Sequence, residues 1–286
     1  MKIRTAISAV AALVVAPALA AGERLVVPLS DPAQPARLEV SLVMGSIEVV
    51  AGKAGEVVIE ATPGALGEHD HDHECEDCPA IAGRAADKEE RGRAKLKRIP
   101  NDSYELAAEE KANRVTVSTD SWARAIALRI AVPEASSVSL STVNDGDLVV
   151  GGLSGEIELH NTNGNVTVRD ARGPVSANTL NGDVTVSFGS NIASAPMAFS
   201  TLNGDIDLTL PAGARFDVRL KSENGEIYSD FDVVLARSAP KVEEERGKGR
   251  YRVSVTKELT GEVGGGGPEI FLNTFNGDIV LRRRDG

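Results

Sequence analysis

Hydrophobic and polar positions alternate along much of the chain in a pattern that restarts every nine residues. The restarts are marked by Gly146, Gly155, Gly164, Gly173 and Gly182. The second and fourth residues after each glycine are usually apolar, as Val166 and Val168 are after Gly164. Because side chains alternate between the two faces of a strand, this period of two predicts short strands that each bury one face.

A turn of Asn followed by Gly recurs within these blocks and beyond them. The turns end at Gly164, Gly182, Gly204, Gly225 and Gly277. Thr or Ser stands three residues before most of these glycines, and an acid or Asn follows directly, as in Thr201, Asn203 and Asp205 around Gly204. Gly and Asn both tolerate positive φ, so each pair predicts a tight corner between two strands.

Two all-β architectures account for these corners. Asn-Gly is a strong signal for a two-residue hairpin, which would produce an antiparallel meander or sandwich. Alternatively, two nine-residue strands form one coil of a β-solenoid or β-helix, and the corners stack on every second block. The recurrence of similar residues at matching positions favours the solenoid, because stacked coils would place Asn over Asn and Thr over Thr.

The repeats do not cover the whole chain evenly. We predict a signal peptide at 1–20, N-terminal strands at 21–62, a polar insertion at 63–113 and a β-strand repeat domain at 114–286. The repeat domain contains a highly charged stretch at 236–250, which predicts a solvated loop insertion.

Composition adds a constraint on the core. Apolar residues make up 42% of the 286 residues but aromatic residues only 3%, and there are 28 glycines. This predicts a thin core of Val, Ile, Leu and Ala crossed by many turns, and it excludes a disordered chain or a disulfide framework. The net charge of −11 argues against nucleic acid as a partner.

The first residues have the pattern of an export signal. Lys2 and Arg4 precede an apolar run, and Ala18 and Ala20 form an A-x-A cleavage signal. The run is short and is followed by Pro17, which argues against an uncleaved anchor, and no later stretch reaches the roughly 18 apolar residues of a spanning helix. We therefore expect an exported protein, periplasmic or at the cell surface, with no transmembrane segment in the mature chain.

One segment of the insertion has metal-binding chemistry. It contains the cluster His69, His71, His73, Cys75 and Cys78, together with several carboxylates. Imidazole and thiolate suit Zn, Cu or Ni, so this segment is a candidate metal site. Three alternatives remain open: a disulfide between Cys75 and Cys78, an inert acidic loop, and a redox-active CxxC pair.

Catalytic chemistry is not indicated elsewhere. His160 is the only histidine of the repeat region, and no catalytic triad or pair of catalytic acids stands out, so we predict no catalytic residues and no enzyme. The acids that follow the corner glycines could form a calcium-binding row, but turn chemistry explains them without calcium. The predicted function is a non-enzymatic, exported cell-envelope protein that is either an adhesin-like binding module for an envelope component, glycan or protein, or an envelope-associated structural module. The alternatives are a metal-binding envelope protein acting through the His/Cys segment and a glycan-active enzyme.

The repeat pattern resembles a bacterial family of unknown function that is built from β-strand repeats. The resembling segments are 130–133, 141–147, the Thr-x-Asn-Gly-Asp turns, 227–232, and 265–270 through 276–279. The family is often called adhesin-like, after a head domain ascribed to autotransporter adhesins. The resemblance implies an exported or envelope-associated β-solenoid and supplies no catalytic residues.

Overall fold

The computed structural model describes residues 13–14, 24–63, 106–119, 125–144, 146–236, 241–247, 250–256 and 258–284. Every regular element in these ranges is a β-strand. The first eight strands are β1 Leu13–Val14, β2 Arg24–Pro28, β3 Arg37–Met44, β4 Ile47–Gly52, β5 Glu56–Pro63, β6 Leu106–Lys111, β7 Arg114–Thr119 and β8 Ile126–Pro133. The next eight are β9 Ser137–Asn144, β10 Leu148–Gly151, β11 Ile157–Asn161, β12 Val166–Ala171, β13 Val175–Asn178, β14 Val184–Phe188, β15 Met197–Asn203 and β16 Ile206–Pro211. The last eight are β17 Phe216–Asn224, β18 Ile227–Ser229, β19 Val234–Leu235, β20 Lys241–Gly247, β21 Arg250–Thr256, β22 Leu259–Val263, β23 Glu269–Asn276 and β24 Ile279–Arg284.

The strands form two large sheets, one of 12 strands and one of 10, and each coil places one strand in each sheet. β11 pairs in parallel with β13, so that Ile157 lies opposite Val175, while β12 pairs with β14 and Val166 lies opposite Val184. Both offsets are 18 residues, or two of the nine-residue blocks. The parallel register confirms the predicted β-solenoid and shows that the antiparallel meander is wrong for these coils.

The core lies between the two sheets and follows the predicted alternation. Inward positions such as Ile157, Val166 and Leu208 are fully buried, and each packs above its equivalent in the neighbouring coil. Phe188, Phe199 and Phe216 are the largest fully buried side chains of the described residues. Each coil therefore covers the apolar face of its neighbour, and the core remains one side-chain layer thick on each sheet.

The order of coils in the stack differs from their order in the chain. β3 and β4 lie between β7–β8 and β9–β10. At the other end, β23 and β24 lie between β15–β16 and β17–β18. The last coil in the sequence is therefore an interior coil of the stack, paired on both sides in both sheets.

Two predicted boundaries differ from the structure. β6 falls inside the range 63–113 that was assigned to the polar insertion, and it pairs antiparallel with β7 in the 12-stranded sheet. The stretch 236–250, expected to be a solvated loop, contains β20, which forms a hairpin with β21. Its charge suggested a loop, but the sequence of its partner strand alternates Tyr251, Val253 and Val255, which favours a strand.

Hydrogen bonds from β6–β7 hold the connection between β2 and β3. Asn113, which is buried and has φ +62°, accepts a hydrogen bond from the Asp31 N–H at 2.8 Å and donates to the Asp31 carbonyl at 2.7 Å. The Glu110 carboxylate accepts hydrogen bonds from the Asn113 N–H, the Ser30 N–H and the Ser30 hydroxyl. Burial alone raises the pKa of Glu110, but these donors together outweigh it and leave the pKa below its usual value.

Candidate binding face

The Asn residues of the corners form one continuous ladder of side-chain amides. Asn181 donates through Nδ2 to Asn163 Oδ1 at 2.8 Å, and Asn203 donates in the same way to Asn181 at 2.7 Å. Asn276 continues the ladder to Asn203 at 2.7 Å, although these two residues are 73 positions apart in the sequence. Asn224 then donates to Asn276 at 3.0 Å. The ladder therefore follows the spatial order of the coils and not their order in the chain.

The Thr positions three residues before the corner glycines form a second row. Thr179 Oγ1 donates to the Gly164 carbonyl at 3.0 Å, and Thr201 Oγ1 donates to the Gly182 carbonyl at 2.9 Å. These hydroxyls are nearly buried. Each one satisfies a carbonyl of the preceding coil that would otherwise lack a partner at the corner.

Asn161 occupies the same position in its coil in place of Thr. Its Nδ2 donates to the Gly146 carbonyl at 2.9 Å, which reproduces the bond that Thr makes elsewhere. Its buried Oδ1, however, has no hydrogen-bond partner among the described residues. The larger amide therefore leaves one polar atom unsatisfied in this coil.

The acids after the corner glycines form a third row, and it is directed at the backbone. Asp183 Oδ1 accepts the Asp205 N–H at 2.9 Å, and Asp205 Oδ1 accepts the Asp278 N–H at 2.7 Å. One oxygen of each carboxylate is therefore occupied by a backbone donor of the next coil. Within the described ranges, no group of three or more His, Cys, Asp or Glu side chains is placed to hold a metal ion.

Gly204 shows why the corner requires glycine. Its φ is +148°, a region that residues with a Cβ rarely adopt. A Cβ at this position would lie 2.1 Å from the Gly182 carbonyl oxygen. The close stacking of one corner on the next therefore depends on the absence of a side chain.

The predicted metal-site residues and the one histidine of the repeat region fall in different places. His69, His71, His73, Cys75 and Cys78 lie outside the described residues, as does the predicted signal peptide apart from β1. His160 is on the outer face of the 12-stranded sheet, where its Nε2 lies 3.2 Å from Glu158 Oε1. In the described part of the chain, no helix has the length and apolar character needed to cross a membrane.

A groove runs along the stack on the outer face of the 12-stranded sheet, beside the Asn ladder. One wall is an apolar row of Leu180, Leu202 and Phe275, which lie two residues before the corner glycines of three adjacent coils. The other wall is a polar row of Asn178, Ser200 and Asn273, two residues earlier in the same coils. The groove has a cavity volume of about 380 Å³.

The apolar row is unusually exposed. Leu180, Leu202 and Phe275 are 43%, 41% and 47% exposed. Val43 and Val143 occupy the equivalent position in two more coils, so half of the large exposed apolar side chains of the described residues belong to this one position. Thr162 separates these valines from the groove.

The groove has little net charge. Asn161 lines one end, and Lys221 and Glu223 line the other, where Lys221 Nζ and Glu223 Oε1 are 3.1 Å apart. The lysine is therefore neutralised within the groove itself. The walls otherwise consist of amides, hydroxyls and apolar side chains.

The sequence contained a signal for this groove that was not recognised. The position two residues before the corner glycine is Leu180, Leu202 and Phe275 in three of the turns, between residues that recur as Thr and Asn. Recognising these residues as neighbours also requires the coil order, because Leu202 and Phe275 are adjacent only through the pairing of β15 with β23.

Comparison with known proteins identifies the fold family. Two solved structures are similar at low identity. One is a candidate cell adhesion protein from Clostridium sporogenes ATCC 15579, with a TM-score of 0.44 and 9% identity, and the match covers 92% of this chain and 100% of that chain. The other is a candidate adhesin from Bacteroides fragilis NCTC 9343, with a TM-score of 0.38 and 13% identity, and the match covers 92% of this chain and 97% of that chain. No curated protein matches the chain. A family model described as Toastrack DUF4097 matches residues 91–259, more than half of the sequence, which confirms the resemblance to a β-strand-repeat family of unknown function. The chain therefore belongs to the Toastrack DUF4097 family.

Proposed function

We propose that this protein is a non-enzymatic binding module whose partner occupies the groove between the apolar and polar rows. The observation that carries the proposal is the exposure of Leu180, Leu202 and Phe275 in three adjacent coils. Coil stacking does not require an apolar residue there, since Thr162 and Glu223 occupy the same position in other coils. A contiguous exposed apolar row bordered by polar residues is typical of an interaction site.

The polar chemistry of the corners supports a binding role over a catalytic one. The carboxylates of Asp183 and Asp205 accept backbone N–H groups, and the Thr hydroxyls donate to backbone carbonyls. His160 Nε2 lies 3.2 Å from Glu158 Oε1, and no hydrogen bond within the described residues joins it to Ser141, which lies opposite it on β9. The Asp and Thr groups are occupied in holding the coils together, which leaves them poorly placed to act on a substrate.

The proposal includes export to the cell envelope, which rests on the A-x-A signal at Ala18–Ala20. Cell fractionation followed by N-terminal sequencing tests it. We expect the mature protein outside the cytoplasm, beginning at Ala21. An intact N-terminus in the cytoplasmic fraction would contradict it.

The binding role is tested by retention on the immobilised protein. Wild type, the groove variant Leu180→Ser/Leu202→Ser/Phe275→Ser and the control variant Thr185→Ala/Tyr228→Ser would each be exposed to a cell-envelope fraction. The control changes exposed residues of the 10-stranded sheet. Glycans, lipids and proteins retained by wild type and control but not by the groove variant support the proposal, whereas equal retention by all three contradicts it.

A second candidate function, metal binding, is favoured by one observation in the sequence. Three of the four histidines and both cysteines lie within the ten residues from His69 to Cys78. Such a set would bind Zn, Cu or Ni, with affinity that falls as the histidines become protonated near pH 6. The segment would then act as a metal-binding or metal-sensing element attached to the binding module.

Calorimetry with Zn²⁺, Cu²⁺ and Ni²⁺ tests this second function. Wild type would be compared with a deletion of residues 67–79 and with Cys75→Ser/Cys78→Ser. Loss of binding in the deletion is the expected result, and equal affinity in wild type and deletion excludes the site. Binding that survives the cysteine substitutions would assign the metal to the histidines, in agreement with a disulfide between the cysteines.

A further inference from the structure

We infer that the groove binds a neutral, linear polysaccharide chain that lies along the stack with about one sugar residue on each coil. This inference rests on the proposed function and specifies the class of ligand. Three properties of the groove favour such a ligand: the spacing of the two rows, their chemistry, and the pairing of the lysine that lines the groove with a carboxylate.

The spacing favours a polymer with a regular repeat. Asn178, Ser200 and Asn273 lie on hydrogen-bonded neighbouring strands. Leu202 and Phe275 lie on two of these strands, and Leu180, two residues after β13, accepts a hydrogen bond at its carbonyl from the Asn203 N–H of the next coil. Neighbouring strands are about 4.8 Å apart, so each row repeats at that distance along the stack. This is close to the length of one sugar residue in an extended glycan, so successive sugars would meet equivalent side chains on successive coils.

The chemistry of the two walls matches the two kinds of surface on a sugar ring. Amides and hydroxyls such as those of Asn178, Ser200 and Asn273 both donate and accept hydrogen bonds, as sugar hydroxyls do. Leu202 and Phe275 offer exposed apolar surface for the C–H face of the ring.

The charges in the groove favour a neutral ligand over nucleic acid or an anionic glycan. The cationic side chain that lines the groove is Lys221, and its Nζ is already paired with Glu223 at 3.1 Å. The chain as a whole carries a net charge of −11. A polyanion would therefore meet repulsion without an unpaired cation in the groove to offset it.

The backbone around the groove argues against an extended peptide. β13, β15 and β23 are each hydrogen-bonded to a strand on both sides, so a peptide lying over them would find no free edge to extend. Peptides that bind sheets usually gain affinity from main-chain hydrogen bonds at such an edge. A polysaccharide depends instead on side chains that face outward, which are the groups this groove supplies.

The test is isothermal calorimetry with defined oligosaccharides. Neutral linear series from disaccharide to hexasaccharide (cello-, xylo- and manno-oligosaccharides) would be compared with oligogalacturonides, which are anionic, and with an extended neutral peptide. We expect at least one neutral series to bind, with affinity that rises with chain length until the three coils are covered. Tighter binding of the anionic oligomer or of the peptide would overturn the inference.

Variants locate the binding in the groove. Asn178→Ala and Asn273→Ala should each weaken binding about fivefold, the usual value of one hydrogen bond between neutral groups. Phe275→Ser should weaken it about tenfold, while Tyr228→Ser, which removes an equally exposed aromatic ring from the 10-stranded sheet, should leave it unchanged. Equal affinity for Phe275→Ser and Tyr228→Ser would place the glycan elsewhere and overturn the inference.

Failure of the inference can be separated from failure of the proposed function. If no neutral oligosaccharide binds but the groove variant still loses partners retained from the envelope fraction, the groove binds another class of ligand and only the inference is wrong. If the groove variant retains what wild type retains, the proposed function is wrong as well. Release of shorter oligosaccharides during the titration would instead show that the protein is an enzyme and would contradict its assignment as a binding module.

Discussion

Thr274 and Phe275 are adjacent in the chain but belong to different parts of the molecule. Thr274 is completely buried and donates its hydroxyl to the Gly204 carbonyl at 3.0 Å, whereas Phe275 is 47% exposed in the groove. The pairs Thr201–Leu202 and Thr179–Leu180 repeat this arrangement in the neighbouring coils. Stacking of the coils therefore restricts the residue type at the Thr position. The next position does not take part in stacking, so its residue type can depend on the ligand of the groove.

Substitution of a corner glycine should cost the most stability where neighbouring coils are closest. Gly204→Ala places a Cβ 2.1 Å from the Gly182 carbonyl at a φ of +148°, so we expect a loss of about 3 kcal/mol or more in the free energy of unfolding. Gly213→Ala is the matched control, because no atom lies within 4 Å of its Cβ position. Urea denaturation measures both. Similar stability of the two variants would show that close stacking at the corner is not required.

The hydroxyl group of Thr201 should contribute more to stability than the shape of its side chain does. Thr201→Val keeps the shape but leaves the Gly182 carbonyl without its partner, so we expect a loss of about 1–3 kcal/mol. Thr185→Val, on the exposed outer face of the 10-stranded sheet, should change stability by less than about 0.5 kcal/mol. If both substitutions have the same effect in denaturation, the buried Thr row does not distinguish the corner from the rest of the coil.

The stabilisation provided by Glu110 of β6, near one end of the 12-stranded sheet, should depend on pH, unlike that of the corners. The folded pKa of Glu110 is lowered from 4.5, so its hydrogen bonds stabilise the protein above that pH and are lost as the pH falls through the folded pKa. Wild type should therefore be more stable than Glu110→Gln at neutral pH, and the difference should shrink below pH 4.5.

Ser30→Ala sharpens this test. It removes one of the donors that lower the pKa of Glu110, so the pH at which the stabilisation disappears should move upward. Thermal unfolding of the three proteins between pH 3 and 7 (about the range in which carboxylates and histidine titrate) measures the effect. A difference between wild type and Glu110→Gln that does not vary with pH would contradict the assignment.

The smallest effect on stability is expected in the groove. Leu202→Ser and Phe275→Ser change exposed side chains, so each should alter the free energy of unfolding by about 0.5 kcal/mol or less. The same variants should lose ligand, which separates them from Thr201→Val, whose loss is one of stability. A large destabilisation by Phe275→Ser would show that the apolar row supports the coils and would weaken the case for a binding face.

Much of the fold could be predicted from the sequence, because the constraints on a coil are local and repeated. The alternation of Val166 and Val168 identifies inward positions, and the recurrence of Thr, Asn, Gly and an acid reflects three rows of hydrogen bonds between coils. The hairpin of β20 and β21 was not predicted, because the charged residues of β20 suggested a loop although the alternating Tyr and Val residues of β21 favour a strand. The groove was missed because its residues become a row only when the coils are placed side by side.

The sequence by itself determined the coil: its two strands, its buried face and its Asn-Gly corner, since each depends on residues within a few positions of one another. Only the tertiary structure decided the order of the coils. β23 lies between β15 and β17 because the inward apolar positions and corner residues of every coil are so similar that local pattern cannot distinguish one neighbour from another. Pairing across 73 residues, as between Asn203 and Asn276, is settled by the packing of the whole stack, and with it the row that brings Leu202 beside Phe275.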